Sequence, residues 1–226
     1  MKLASLWLLP ACLMLFGSAH AAAEEKENRL LYQGHGSLRI VTAEDKVIYV
    51  DPYAGEGYDL PADLILVSHG HRDHNAVDLI QNRSADCRII YNTDALTDGV
   101  YKSFDLGFAK VEAVQAGNNP NHDINVCVGW VITLPGGVSV YATGDTSRTD
   151  QMAELADRGL HYAFFVCDGR FNMDIPEASE CAKLVNARHS VPYHMAPGEL
   201  FNRERAEAFD GPGRLILEAG EEIALE

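Results

Sequence analysis

Cations are scarce in this chain. Lys and Arg total 18 against 33 Asp and Glu, a formal charge of −15. Such a chain has little to offer a nucleic acid or an anionic membrane surface, because both reward clustered basic residues. An anionic small molecule is still admissible, since bound metal ions can supply the local positive charge. Cysteine is sparse as well, and no C-x-x-C pair occurs among the five. That argues against a thioredoxin-type site and against a Cys-based structural zinc site. Cys87, Cys127, Cys167 and Cys181 are widely spaced, the first three inside apolar strand-like runs ("CRII", "VCVGWVI", "FFVC"). They read as buried small hydrophobes rather than as a disulfide framework. There is no internal repeat and no low-complexity linker, which supports a single domain.

The beginning of the chain has a different character. Met1 and Lys2 are followed by an almost wholly apolar run, Leu3 to Gly17, and then by Ala19-His20-Ala21. A short positive start, an apolar stretch and a small-x-small cleavage site make a secretory signal peptide over residues 1–21. The run is shorter than the roughly 20 residues needed to span a bilayer. Leu9-Pro10-Ala11-Cys12 loosely resembles a lipid-attachment site, but Pro10 and the apolar residues beyond Cys12 fit it poorly. The mature protein is thus expected to be residues 22–226, without an integral membrane segment, exported to the periplasm or beyond. That length suits one domain with a sizeable core.

Short β-rich runs dominate the first half: "LLYQ", "SLRIVTA", "KVIYVDP", "DLILVSH" and "CRIIYN". Then come "AKVEAVQA", "CVGWVITL", "VSVYATGD", "HYAFFVCD", "HSVPYHM" and "RLILEAGEEIAL", with "LPGGV" as a hairpin turn. Residues 74–82, 148–158 and 176–187 show helical spacing of apolar positions, and Pro176 with Glu177 suits a first helical turn. Two sets of strands with helices interspersed predict an α/β sandwich, sheets face to face with helices outside.

The chain is rich in one thing: three of its nine histidines, His69, His71 and His74, fall within six residues, with Asp73 among them. Lone histidines such as His20, His161 and His189 are ordinary surface or core residues. Clustering three imidazoles with a carboxylate has no packing benefit, and the pattern predicts metal ligation. One tetrahedral zinc cannot use them all, but two adjacent ions can. The carboxylate favours an open hydrolytic site over a closed structural one, and imidazole suits zinc, manganese or iron. "ADLILVSH", "VSVYATGD" and "HSVPYH" are buried-type runs that stop at His69, Asp145 and His194. Rigid strand ends of this kind can converge on one cleft.

His69-x-His71-x-Asp73-His74 after an apolar strand resembles the signature of the metallo-β-lactamase superfamily of binuclear metal hydrolases. "YQGHGSLRI", "DPYAG", "YATGDTS" and "SVPYHM" look like the branch that includes the L-ascorbate phosphate lactonase. The resemblance implies an αββα four-layer sandwich and two divalent ions, zinc first and Mn2+ or Fe2+ as alternatives. It places one ion on His69, His71 and a third histidine between the motif and Asp145, for which His122 is the candidate in "AGNNPNHDINVCVGWVI". The other ion falls to Asp73, His74 and His194, and Asp145 bridges the two. His35 is expected near the site as support or as a substrate contact. Asp51 either orients a ligand histidine or caps a turn. Asp168 reads as a turn stabiliser on the same rim, with substrate contact as the other reading, and Tyr193 should point away from the metals.

The implied chemistry is attack by a metal-bridging hydroxide on a lactone, phosphodiester or related ester of a small molecule, with Asp73 orienting the water and taking its proton. A non-catalytic metal-binding or interaction module of the same fold is the alternative. Export gives the first test. Intact mass of protein recovered from its native host is expected to correspond to a chain beginning at Ala22; a mature form beginning at lipidated Cys12 would replace that reading with membrane anchoring.

Overall fold

The computed structural model describes residues 26–226, so the expected signal segment and His20 lie outside the described residues. In chain order the strands are β1 (Asn28–Gly34), β2 (Ser37–Val41), β3 (Val47–Val50), β4 (Ala62–Val67) and β5 (Arg83–Tyr91). A one-turn helix α1 (Asn92–Ala95) leads to the short β6 (Leu96–Thr97), β7 (Val100–Tyr101) and β8 (Ser103–Asp105). Next come β9 (Lys110–Gln115), β10 (Val128–Thr133), β11 (Ser139–Ala142), α2 (Gln151–Leu155) and β12 (Tyr162–Val166). The chain closes with α3 (Ile175–Val185), β13 (His189–Tyr193), α4 (Arg203–Ala208) and β14 (Glu221–Leu225).

Two six-stranded sheets form, in the orders β14-β1-β2-β3-β4-β5 and β13-β12-β11-β10-β9-β8. Their strands alternate between two apolar environments. In the first sheet Leu38, Ile40, Ile48, Val50, Leu64 and Leu66 join the central core, with Trp130, Ile132 and Phe164 of the second sheet. Val41, Val47, Tyr49, Ile65 and Val67 face the other way and pack with Val77 and Ile80. Burial on both faces explains why these strands read as continuous apolar runs rather than as a clean alternation. On the second sheet α2 packs on α3 and β9, and α3 on β12, which supplies the outer helical layer.

The elements differ from the sequence expectation in a few places. Residues 74–82 carry only a 3-10 turn, Val77–Leu79, in place of a helix. The first turn is spent on placing the motif: His74 N–H donates to His71 O and Ala76 N–H to Pro52 O. Leu79 is then 44% exposed, so no continuous apolar face exists to reward a longer helix. The expected strand at 214–225 forms only over Glu221–Leu225, pairing antiparallel with β1 across the whole chain. The short β6, β7 and β8 and helices α1 and α4 are additional. Among the described residues all four cysteines are free, with Cys127, Cys167 and Cys181 buried and Cys87 half-buried. No helix among the described residues is long and apolar enough to cross a membrane.

What positions the site is strand direction. β3 runs parallel to β4, and β11, β12 and β13 run parallel to one another. Parallel neighbours end on the same rim, so the residues that follow them meet there: Asp51, His69, Asp145, Asp168 and His194. The two rims are tied by backbone bonds, Val128 N–H to Ser68 O at 3.0 Å and His194 N–H to His35 O at 2.9 Å.

Candidate metal centre

Each polar side chain at the rim is set by a local device. His69 follows Ser68, whose backbone N–H donates to Asp51 Oδ1 at 2.7 Å and whose hydroxyl donates to Asp51 Oδ2 at 2.6 Å. With its proton committed, Ser68 Oγ accepts from His69 Nδ1–H at 3.0 Å. His74 Nδ1–H donates to Asp51 Oδ2 at 2.8 Å, and His122 Nδ1–H faces Asn119 Oδ1 at 3.3 Å. These contacts favour a proton on Nδ1 in three imidazoles and turn each Nε2 inward, the arrangement that outer carboxylates and carbonyls impose on ligand histidines. Asp51 thus orients two of the three, directly and through Ser68.

Those inward atoms surround Asp145. Its Oδ2 lies 3.2 Å from His122 Nε2 and 4.0 Å from His69 Nε2. Its Oδ1 lies 3.2 Å from His74 Nε2 and 3.4 Å from His194 Nε2. His122 Nε2 is also 3.3 Å from His71 Nδ1. Ligand-type atoms fall into three groups, each within 4.8 Å: His69, His71 and His122; His69, His74 and Asp145; and His35, Asp73, His74 and His194. The structure brings all seven expected ligands together and adds His35 to one group. Asp145 straddles the groups, one oxygen toward each.

The donor set fits metal ions, and the buried atoms test this. His69 Nε2, His74 Nε2, His194 Nε2 and Asp145 Oδ1 are all inaccessible and without a hydrogen-bond partner. Buried polar atoms are rarely left so, and an ion is one of the few things that satisfies them. The electrostatics divide the histidines. Burial lowers the pKa of His69 to about 2 and that of His194 to about 4, which keeps both rings in the neutral, lone-pair form that ligation requires. Burial opposes the charge on His74 too, but the carboxylates of Asp145 and Asp51 outweigh it and raise its pKa well above the usual value. Burial also opposes charge on Asp145, yet the surrounding His194 and His74 hold its carboxyl well below the ordinary range. A buried carboxylate among imidazoles attracts positive charge, and divalent cations supply it.

Strain and close approach mark the same place. Seven described non-glycine residues have positive φ, and three of them, His35 (+54°), Asp51 (+45°) and His194 (+43°), touch this cluster. Such backbone persists where surrounding structure over-determines it, typically at functional sites. Gly36 makes room for a ligand: a Cβ there would meet His74 Cε1 at 2.8 Å. Gly144, at φ +62°, turns the chain into Asp145, and a Cβ there would meet Val128 O at 2.9 Å.

The remaining expectations sort by contact. Asp168 accepts from Arg170 N–H, Phe171 N–H and Asn172 Nδ2, which makes it a turn stabiliser, and its Oδ2 sits 3.8 Å from His194 Nδ1. Tyr193 lies in the core, where its hydroxyl accepts Gly144 N–H at 2.9 Å and so braces the turn before Asp145. His161 and His189 lie elsewhere, against Ser139 and Tyr162. Sequence reasoning missed Ser68 and Asn119, which set two histidine rings; only their nearness to His69 and His122 could have suggested them. It also missed Arg72, Asn121 and Phe171, which line the outer wall of a cavity of about 540 Å³ above Asp73 and Asp145.

If Asp51 fixes two ligand rings, Asp51→Asn should weaken metal binding about 10- to 100-fold, since the amide gives up one acceptor oxygen and frees both tautomers. Competition with a chelator measures this. Wild-type affinity in that variant would mean Asp51 only braces the turn after β3.

The chain matches the description "Beta-lactamase superfamily domain" over residues 29–194. It is 27% identical over 231 residues to a UPF0173 metal-dependent hydrolase of Rubrobacter xylanophilus, covering 86% of this chain and 96% of that one. A solved structure from Parabacteroides distasonis, described as a metal-dependent hydrolase, superposes with a TM-score of 0.69 at 26% identity, over 84% of this chain and 93% of that one. Igni18, a metallo hydrolase of Ignicoccus hospitalis, gives a TM-score of 0.69 at 21% identity over 88% and 98%, a likeness of fold alone. The match spans β1 to the last histidine of the cluster, and with it the chain belongs to the beta-lactamase superfamily, as a hydrolase of the metallo-β-lactamase fold.

Proposed function

We propose that this protein holds two divalent ions, zinc foremost and manganese or iron as alternatives, and hydrolyses a lactone, a phosphodiester or a related ester of a small molecule. The observation that carries the reading is the straddling carboxylate. Asp145 offers one oxygen to His122 and His69 and the other to His74 and His194, all buried beneath an accessible cleft. One group takes His69, His71 and His122, the other Asp73, His74 and His194, and Asp145 is shared.

Bound ions supply Lewis acidity there, polarising the scissile group and lowering the pKa of the attacking water. The rest is the work of the chain. Asp145 supplies negative charge between two sites that would otherwise repel each other's cargo. Asp73, at 38% side-chain exposure, reaches the cleft and orients the water. Its carboxylate is also placed to take the water's proton. Asn121 Nδ2 donates to Phe171 O at 3.2 Å, joining two loops into one wall against which a substrate can be positioned. The likeness of "YQGHGSLRI", "DPYAG" and "SVPYHM" to the L-ascorbate phosphate lactonase branch puts lactones first. The apolar run Leu3 to Gly17 and Ala19-His20-Ala21 support export, with hydrolysis taking place in the periplasm or outside the cell.

The test is a panel of lactones, phosphodiesters, carboxylic esters and β-lactams offered to wild type and to Asp145→Asn. We expect turnover of at least one lactone or phosphodiester. In the variant we expect a fall of about 100-fold, against a small change in melting temperature. Protein that carries two ions and turns over nothing on the panel would instead be a metal-binding module.

A further inference from the structure

Turns between antiparallel strands at left-handed backbone are the natural place for glycine or asparagine. The β1–β2 turn instead carries a histidine there, His35, between Gly34 and Gly36, at φ +54°. It is also only 1% exposed, unusual for the tip of a hairpin. Its placement is rigid. His35 N–H donates to Leu200 O at 2.8 Å, and its carbonyl accepts from His194 N–H at 2.9 Å and from the Tyr32 hydroxyl at 3.1 Å. The ring is pinned as well: Nδ1–H meets Glu199 O at 3.2 Å, and the His194 ring lies at 3.6 Å between centroids.

With Nδ1 committed to a carbonyl, which can only accept, the neutral ring presents its Nε2 lone pair. That lone pair points at Asp73 Oδ2, 3.3 Å away. Two acceptors at this distance need positive charge between or beside them. A proton on Nε2 is one solution, which would make His35 a hydrogen-bond donor to Asp73. A cation shared with Asp73, His74 and His194 is the other, and the ligand atoms of these four residues already lie within 4.8 Å of one another.

We propose that His35 Nε2 is a ligand of the ion held by Asp73, His74 and His194, an inference that rests on the binuclear reading above. That ion then has four side chains besides the shared Asp145, while the other has three, one of them the exposed His71. The two positions are unequal. The His35 ion is the more fully enclosed by protein, and the His69–His71–His122 ion keeps the freer coordination, the property of a catalytic position.

Two variants test this. His35→Asn suits the left-handed backbone and keeps the fold, and His35→Gln keeps a longer polar side chain. Both are loaded with Zn2+ and titrated with chelator, and with Co2+ for the visible spectrum. We expect affinity for one ion to fall at least about tenfold, the other ion to be unchanged, and the Co2+ spectrum to lose the contribution of one site. The ion lost should be the one lost in Asp73→Ala, and the one kept should be the one lost in His122→Ala. Two ions held with wild-type affinity and an unchanged spectrum would overturn the inference and leave His35 a hydrogen-bond partner of Asp73, with the binuclear centre intact. Wild-type protein that binds no ion would overturn the inference together with the centre itself.

Discussion

A carboxylate buried among imidazoles is the constraint on which the rest of this structure turns. Asp145 is 4% exposed, and taking such a group out of water costs several kcal/mol unless positive charge meets it. Among the described residues, the basic groups within 4 Å of its carboxylate oxygens are the imidazoles of His74, His194, His122 and His69. Burial holds His69 and His194 neutral, so of these rings only His74, whose pKa the carboxylates raise, is drawn toward carrying a proton. Divalent ions would answer the charge of Asp145, and the unpartnered Nε2 atoms are where they would bind.

The fold delivers this arrangement by strand direction rather than by any special element. Parallel neighbours in each sheet drop their following residues on one rim, and the sheets pack so that the rims face each other across a cleft. The strain at His35, Asp51 and His194 is then tolerable, because each is locked by backbone or carboxylate bonds to the opposite side. Asp51 shows how far one residue reaches: through Ser68 and directly, it sets the tautomers of a ligand in each group. Under the proposed two-ion reading, a change at Asp51 would be felt at both positions without touching either ion.

Much of the centre was legible in the sequence, for a physical reason. His69, His71, Asp73 and His74 are dense enough that packing cannot explain them, and His69, Asp145 and His194 each end an apolar run. Asp51 and His35 were harder to read. A lone Asp after a strand serves equally as turn cap or ligand support, and only the 2.8 Å contact with His74 separates the two. His35 carries no local sign that a hairpin tip would be buried. The misreadings share one cause. Residues 74–82 have helical spacing, but the backbone there is bound to His71 and Pro52, and tertiary demand overrides a weak propensity. The last strand joins β1 at the other end of the chain, and pairing at such range leaves no local signal.

The central claim is that this frame holds two ions around Asp145. The most direct measurement is equilibrium dialysis of chelator-stripped protein against Zn2+, with metal counted per chain by mass spectrometry. The account predicts saturation at two equivalents, with the melting temperature rising as the sites fill. Saturation at one equivalent, or filling without stabilisation, would contradict it.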